Sequence, residues 1–233
     1  MTRRILMAVL ALMIAVPLAA QSSDGLQLRV DRSTDANDPD DVPEVTVAAV
    51  GSGFQINTGP AVTGWNSSNT ASGTYTLSGR FTLIQPSGHV NYYGLVYGAG
   101  GMEGSGQNYL YFLIGQNGTY IVKHRAGNET THDIQGRTAH SAIRTPDANG
   151  RSVNDLEVRV GADATQFVVN GTVVFTAPKT GMAARTDGIW GVRVNHVIPG
   201  VIPPRNQPHS GAAGFVQHFY PRFRLRHILR AFA

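Results

Sequence analysis

The residues best suited to do chemistry in this chain are crowded into one short stretch, Tyr109 to Arg125, which reads YLYFLIGQNGTYIVKHR. Tyr109, Tyr111, Tyr120 and His124 combine flat rings with groups that donate and accept hydrogen bonds. Sugars offer complementary features, apolar C–H faces and hydroxyls, so such a surface suits a carbohydrate or glycan-like ligand. Two carboxylates outside the stretch are added as candidate ligand-binding groups, Glu103 in a Gly-rich loop and Asp133 just downstream.

Catalytic patterns are missing. No GxSxG or HExxH occurs, and His124, His132, Asp133 and His140 lack the paired spacing of a zinc site. A glycosidase needs two carboxylates flanking a bond, ~5–9.5 Å apart. Asp155 and Glu157 share a strand face, but Arg159 shares it too while Leu156, Val158 and Val160 fill the opposite one, so this is a solvated face. The loop Gly98 to Gly106, GAGGMEGSG, is followed by neither GK[ST] nor a helix pattern and is no nucleotide loop; it reads as a flexible lip beside a site.

The elements that position these groups are strands. Asn117-Gly118 suits a type I′ turn, which predicts that Gln116 faces Thr119, Leu113 pairs with Val122, Phe112 with Lys123 and Tyr111 with His124. One face would then carry Tyr109, Tyr111, Leu113, Tyr120, Val122 and His124, the open side. The other would carry Leu110, Phe112, Ile114 and Ile121, the sheet interface, although Lys123 and Arg125 sit awkwardly there. Elsewhere Tyr75, Leu77, Phe81 and Leu83 alternate with polar residues, Val153 to Phe175 gives a second hairpin pair with its own Asn170-Gly171 turn, and Gly188 to Asn195 adds another strand. Val45 to Val50, Phe54 to Asn57 and Tyr93 to Gly98 are further strands, whereas Ala126 to Ser152 reads as polar and irregular. No amphipathic helix pattern lies between Val45 and Asn195, so the body is all-β.

With 233 residues the chain can bury a substantial core, and without cysteine it must do so by packing alone. Its 27 glycines and 15% charged residues fit a turn-rich β protein. The net charge of +4 is unevenly spread. From Gln21 to Gly188 acids outnumber bases, whereas Arg193 and the five arginines beyond it face no acid in the last segment. The acidic body has no footprint for nucleic acid.

Residues 1–20 have Arg3 and Arg4, an apolar run from Ile5 to Val16 and small residues before Gln21, the pattern of a secretory signal peptide. Export to the periplasm or the extracellular space is therefore expected, with no transmembrane segment in the mature chain; an uncleaved anchor is the alternative. Residues 21–44, with Asp31, Asp35, Asp38, Asp40, Asp41 and Glu44, read as a solvated acidic linker. Calcium is the sharper reading of that cluster, but EF-hand spacing is missing, and no cofactor is assigned.

The phrase NDLEVRVGADATQFVVNGTVVF resembles the strand, turn, strand and NG-turn signature of concanavalin A-like jelly rolls, the lectin, glucanase and laminin-G superfamily. YGLVYG, YLYFLIGQNGTYIVKHRAG and DGIWGVRVNH resemble a bacterial exported branch near the 3-keto-disaccharide hydrolase domain, over about Phe54 to His196. The resemblance implies a two-sheet antiparallel jelly-roll sandwich over residues 45–197, with an open concave side where relatives hold sugars. The ExDxxE-type run of related glucanases is absent. Three functions are carried forward: a non-catalytic carbohydrate-binding domain, a hydrolase of a modified disaccharide or polysaccharide, and a laminin-G-like protein-interaction module.

After His196 the chain departs from the resemblance. Pro199, Pro203, Pro204, Pro208 and Pro221 argue against a central strand between Ile198 and Pro221. The ending PRFRLRHILRAFA reads as a replacement edge strand with Phe223 and Leu225 inward, as a short basic amphipathic helix, or as the product of a shifted reading frame.

Overall fold

The computed structural model describes residues 25–32, 45–50, 53–128 and 130–195, together with the backbone of the strands at 215–220 and 226–227. The strands are β1 (Gln27–Asp31), β2 (Thr46–Val50), β3 (Gly53–Thr58), β4 (Ala61–Ala71), β5 (Tyr75–Gln85), β6 (Tyr92–Gly100), β7 (Asn108–Gly115) and β8 (Thr119–Ala126). They continue with β9 (Thr130–Ala139), β10 (Ser152–Val160), β11 (Ala164–Val169), β12 (Thr172–Pro178), β13 (Gly188–Asn195), β14 (Phe215–Tyr220) and β15 (Arg226–His227). One sheet runs β1-β4-β13-β6-β7-β8-β9, the other β12-β11-β10-β5-β14-β3-β2 with β15 also on β5. Every strand pairing in them is antiparallel. The chain is thus all-β, as its alternation predicts, and the jelly-roll sandwich that the resemblance implies, with a single 3₁₀ turn at Gly181–Ala183 among the described residues.

Alternation decides which side chains meet between the sheets. Leu77, Phe81 and Leu83 of β5, Leu156, Val158 and Val160 of β10 and Phe167 of β11 pack against Tyr93, Leu95, Phe112 and Val192 of the facing sheet. On the outward side of β10, Asp155 accepts from Arg80 at 2.7 and 2.8 Å and Glu157 from Arg159 at 2.8 Å, the solvated face anticipated there.

The central hairpin folds one residue out of the expected register. Ile114 pairs with Tyr120, Leu113 with Ile121, Phe112 with Val122, Tyr111 with Lys123 and Leu110 with His124. The loop has three residues: Gly118 donates to the Gly115 carbonyl at 3.1 Å and takes a positive φ of 80°. That is a type I turn closed by a left-handed glycine, the usual three-residue hairpin. A one-residue slip exchanges the faces of a strand. Tyr120, Val122 and His124 therefore lie on the inner side with Leu110, Phe112 and Ile114, while Ile121, Lys123 and Arg125 join Tyr109, Tyr111 and Leu113 outside. The reason is electrostatic: the two-residue loop would have aimed Lys123 and Arg125 at the apolar core, and burying charges without partners is costly. At Asn170-Gly171 no such conflict exists, and the two-residue loop forms with φ of 50° and 84°.

Three other expectations change. Gln27–Asp31, read as part of a solvated linker, is strand β1 paired to β4. Thr130–Ala139, read as irregular, is β9 paired to β8. Phe215–Tyr220, in a stretch judged unable to hold a central strand, lies between β3 and β5; it falls after Pro208 and before Pro221, so no proline interrupts its ladder. Residues 1–20, read as a signal peptide, Asp35 to Glu44, and Phe223 and Leu225 with the rest of the tail except β14 and β15 lie outside the described residues.

The outer face of the seven-stranded sheet is tied together by Arg193 of β13, only 3% exposed. Its Nη1 donates to Asp31 Oδ2 of β1 at 3.0 Å, Thr63 Oγ1 of β4 at 2.7 Å and the Tyr109 hydroxyl of β7 at 2.8 Å. Nη2 donates to Asn195 Oδ1 at 2.9 Å, and the guanidinium lies 5.7 Å from the centre of the Tyr111 ring. Breaking such a buried pair costs ~3–5 kcal/mol because the partner is left unpaired. Arg193→Met should therefore lower the free energy of unfolding by about that amount in urea titrations; a loss below ~1 kcal/mol would show that the network is dispensable.

Asn170 combines its left-handed backbone with bonds to two other segments. Its amide nitrogen donates to the Ala142 carbonyl at 2.7 Å and Asn154 Oδ1 at 2.8 Å, and its oxygen accepts from the Asp155 N–H at 2.9 Å. Asn170→Gly keeps the backbone and loses the bonds, at ~1–3 kcal/mol; Asn170→Ala adds ~1–2 kcal/mol of left-handed strain. Equal melting midpoints for the two variants would refute the strain component.

Candidate functional site

The seven-stranded sheet presents a second apolar cluster on its outer side, which includes Trp65, Tyr92, Val96, Tyr109, Tyr111, Leu113 and Ile121 of β4, β6, β7 and β8. Polar and charged side chains from the same face surround it. Tyr109 and Tyr111 belong here, as the sequence pattern suggested, but at 0% and 3% exposure they are floor rather than contact surface. Burial pushes the Tyr111 hydroxyl up to about 12, against the pull of the Arg193 charge, so it stays protonated at neutral pH.

The other candidates separate. Tyr120 points between the sheets and donates from its hydroxyl to the Val174 carbonyl of β12 at 3.1 Å. His124 is on the same inner side, half-buried, 3.2 Å from Asn108 Oδ1 and stacked on His132 with ring centres 5.8 Å apart. Burial, then His132 and Arg185, hold its pKa below the usual histidine value, favouring the neutral ring. Glu103 is in the lip loop, where it accepts from Gln27 at 3.0 Å. Asp133 lies on the outer face, 2.9 Å from Lys123 Nζ. Asp133 and, at the lip, Glu103 are the candidates that are both on the tyrosine face and accessible.

The accessible chemistry gathers in a depression of about 410 Å³ lined by Tyr92, Ile121, Lys123, Asp133, Arg137 and Asn195. Tyr92 at the start of β6 and Ile121 of β8 form its apolar floor, and both are buried. The Tyr92 hydroxyl is 2.6 Å from Thr119 Oγ1, which in turn donates to Asn117 Oδ1 at 2.7 Å, so the hairpin loop fixes that ring. Arg137 of β9 lies across it, 5.7 Å from the ring centre. Lys123 reaches the rim from β8 through the observed register, and Asn195 from the end of β13.

A second depression, about 340 Å³, lies between Trp65, Ile189 and the lip residues Gly101 to Gly104 and Gly106. The lip is held rather than loose. Arg29 Nη1 donates to the Gly104 carbonyl at 2.9 Å and the Met102 carbonyl at 3.3 Å, and Nη2 donates to Asn128 Oδ1 at 2.7 Å.

Tyr92, Arg137, Asn195, Arg193 and Arg29 were not singled out from sequence. The signal for Arg193 was available, since an arginine alternating with Val192 and Val194 must face away from the core or be paired. Arg137 carried none, because β9 has no clean alternation. Among the described residues no three His, Asp or Glu side chains converge as a metal site. Asp31, the described member of the acidic cluster proposed for calcium, is engaged by Arg29 at 3.2 Å and Arg193 at 3.0 Å. No described helix is long and apolar enough to cross a membrane.

No protein-family model and no curated protein matches this chain. Solved structures do. A Bacillus subtilis protein of unknown function with a galectin-like fold is 11% identical over 88% of this chain and 92% of its own, with a TM-score of 0.55. The carbohydrate-binding module CBM66 from Bacillus subtilis is 12% identical over 76% of this chain and 88% of its own, at 0.49. Alginate lyase A1-II′ is 11% identical over 89% and 82%, at 0.45. Nothing in these likenesses singles out the 3-keto-disaccharide hydrolase branch. At such identities the likeness is one of fold, and the fold is a jelly-roll sandwich similar to the galectin-like one of that Bacillus subtilis protein.

Proposed function

We propose that this chain is a carbohydrate-binding domain that holds its ligand on the outer face of the seven-stranded sheet and performs no reaction on it. The observation that supports this reading is the depression between Tyr92, Ile121, Lys123, Asp133, Arg137 and Asn195. Its volume falls at the lower end of the ~300–1,000 Å³ usual for small-molecule sites. Its floor is apolar and almost wholly covered, and the rim offers both cationic donors and carboxylate or amide acceptors, suited to hydroxyls.

A hydrolytic reading would need a second carboxylate across the bond from Asp133. Among the described lining residues Asp133 is the sole carboxylate, and it is paired with Lys123. Glu103, the other candidate, is in the lip and bonded to Gln27. Export of the protein, the third component of the reading, rests on the first twenty residues of the sequence.

Native gels containing a panel of soluble polysaccharides test both halves. At least one polysaccharide should retard the protein, Arg137→Ala should weaken that retardation ~5-fold or more by removal of an exposed hydrogen-bonding group, and prolonged incubation should release no reducing ends. Retardation by none of the panel would refute ligand binding, and release of reducing ends would replace the binding domain with a hydrolase.

A further inference from the structure

The proposed binding face is net basic: the outward positions of the seven-stranded sheet and its lip carry Arg29, Lys123, Arg125, Arg137 and Arg193 against Asp31, Glu103 and Asp133. The acids are also committed. Asp31 is shared by Arg29 and Arg193, and Asp133 is held by Lys123. Arg125 is oriented by neutral acceptors, donating from Nε to the Gly127 carbonyl at 2.9 Å and from Nη2 to the Asn128 carbonyl, which leave its charge uncancelled.

Arg137 is the decisive group. It is exposed at the rim of the depression, its guanidinium lies over the Tyr92 ring at 5.7 Å, and no carboxylate pairs with it among the described residues. Stacking on an aromatic ring restricts a guanidinium while leaving its edge N–H groups free, and that planar fork matches a carboxylate in two-point geometry. Lys123, on the same rim, pairs with Asp133 and so offsets the repulsion that a ligand carboxylate would meet there.

We infer that the ligand is an acidic glycan, a polymer bearing uronate carboxylates, with one carboxylate received by Arg137 at the rim of the depression. This rests on the carbohydrate-binding reading and narrows it to a substrate class.

The test compares polygalacturonate, alginate and hyaluronate with fully methyl-esterified polygalacturonate, neutral β-glucan and dextran sulfate, using the full chain and titration calorimetry. At least one uronate polymer should bind ~10-fold or more tightly than the methyl ester and the neutral glucan, with affinity falling as salt rises. Arg137→Gln should reduce that affinity ~10-fold or more and Arg137→Lys less, while Arg80→Gln on the opposite sheet leaves it unchanged. Arg137 is exposed, so unchanged melting curves will separate lost binding from lost folding. Equal affinity for acidic and neutral polymers would overturn the acidic-ligand inference and leave carbohydrate binding standing. Binding to dextran sulfate that equals the uronates and ignores Arg137→Gln would reduce the effect to diffuse electrostatics and overturn it as well. No binding to any polymer would remove both readings together.

Discussion

A buried guanidinium organises the outer face of this sandwich. Arg193 is 3% exposed, and its hydrogen bonds reach β1, β4 and β7 while the residue itself belongs to β13. An unpaired charge in that position would be prohibitive, so Asp31, Thr63, Tyr109 and Asn195 must all be delivered to it. That demand explains why a strand from the acidic N-terminal stretch enters the sheet at all. It also explains why Tyr109 and Tyr111 are buried floor: their hydroxyl and ring faces are spent on Arg193.

The consequences reach the rim. Asp31 also orients Arg29, whose Nη atoms hold the lip at Met102 and Gly104 and the turn at Asn128. One carboxylate thus couples the centre of the sheet to the loop beside the second depression. Glu103 and Gln27 add a side-chain bond across the same seam. A Gly-rich loop that by composition alone reads as flexible is held in place by a residue more than seventy positions earlier in the chain. What remains uncommitted on this face is cationic, Arg137 above all, and this imbalance is the physical basis for the ligand class inferred here.

The hairpin shows how far local sequence reaches. Asn117-Gly118 and Asn170-Gly171 are the same dipeptide, yet only the second adopts the two-residue turn. Asn-Gly is compatible with either loop, because glycine can supply the left-handed position of both. The choice is made by the strands: Lys123 and Arg125 must point away from Leu110, Phe112 and Ile114, and the three-residue loop accomplishes that. Tyr120 and His124 then move to the inner side, which is why the tyrosine cluster read from sequence divides between two faces.

Alternation along Tyr75 to Ile84, Leu156 to Val160 and Gly188 to Asn195 was sufficient to establish strands, their buried faces and an all-β body, because period-two burial is a property of each strand alone. The choice between polar faces is not local. Asp31 and Arg193 are separated by 162 positions, and nothing in either neighbourhood specifies the other. The same holds for the depression, where Tyr92, Lys123, Arg137 and Asn195 come from four strands and meet only through their order in the sheet. The sequence by itself determined the type of fold and the stretch around which a site could form. Only the tertiary structure decided which side of that stretch is open, because hairpin register and strand order depend on where every other charge and apolar side chain must go.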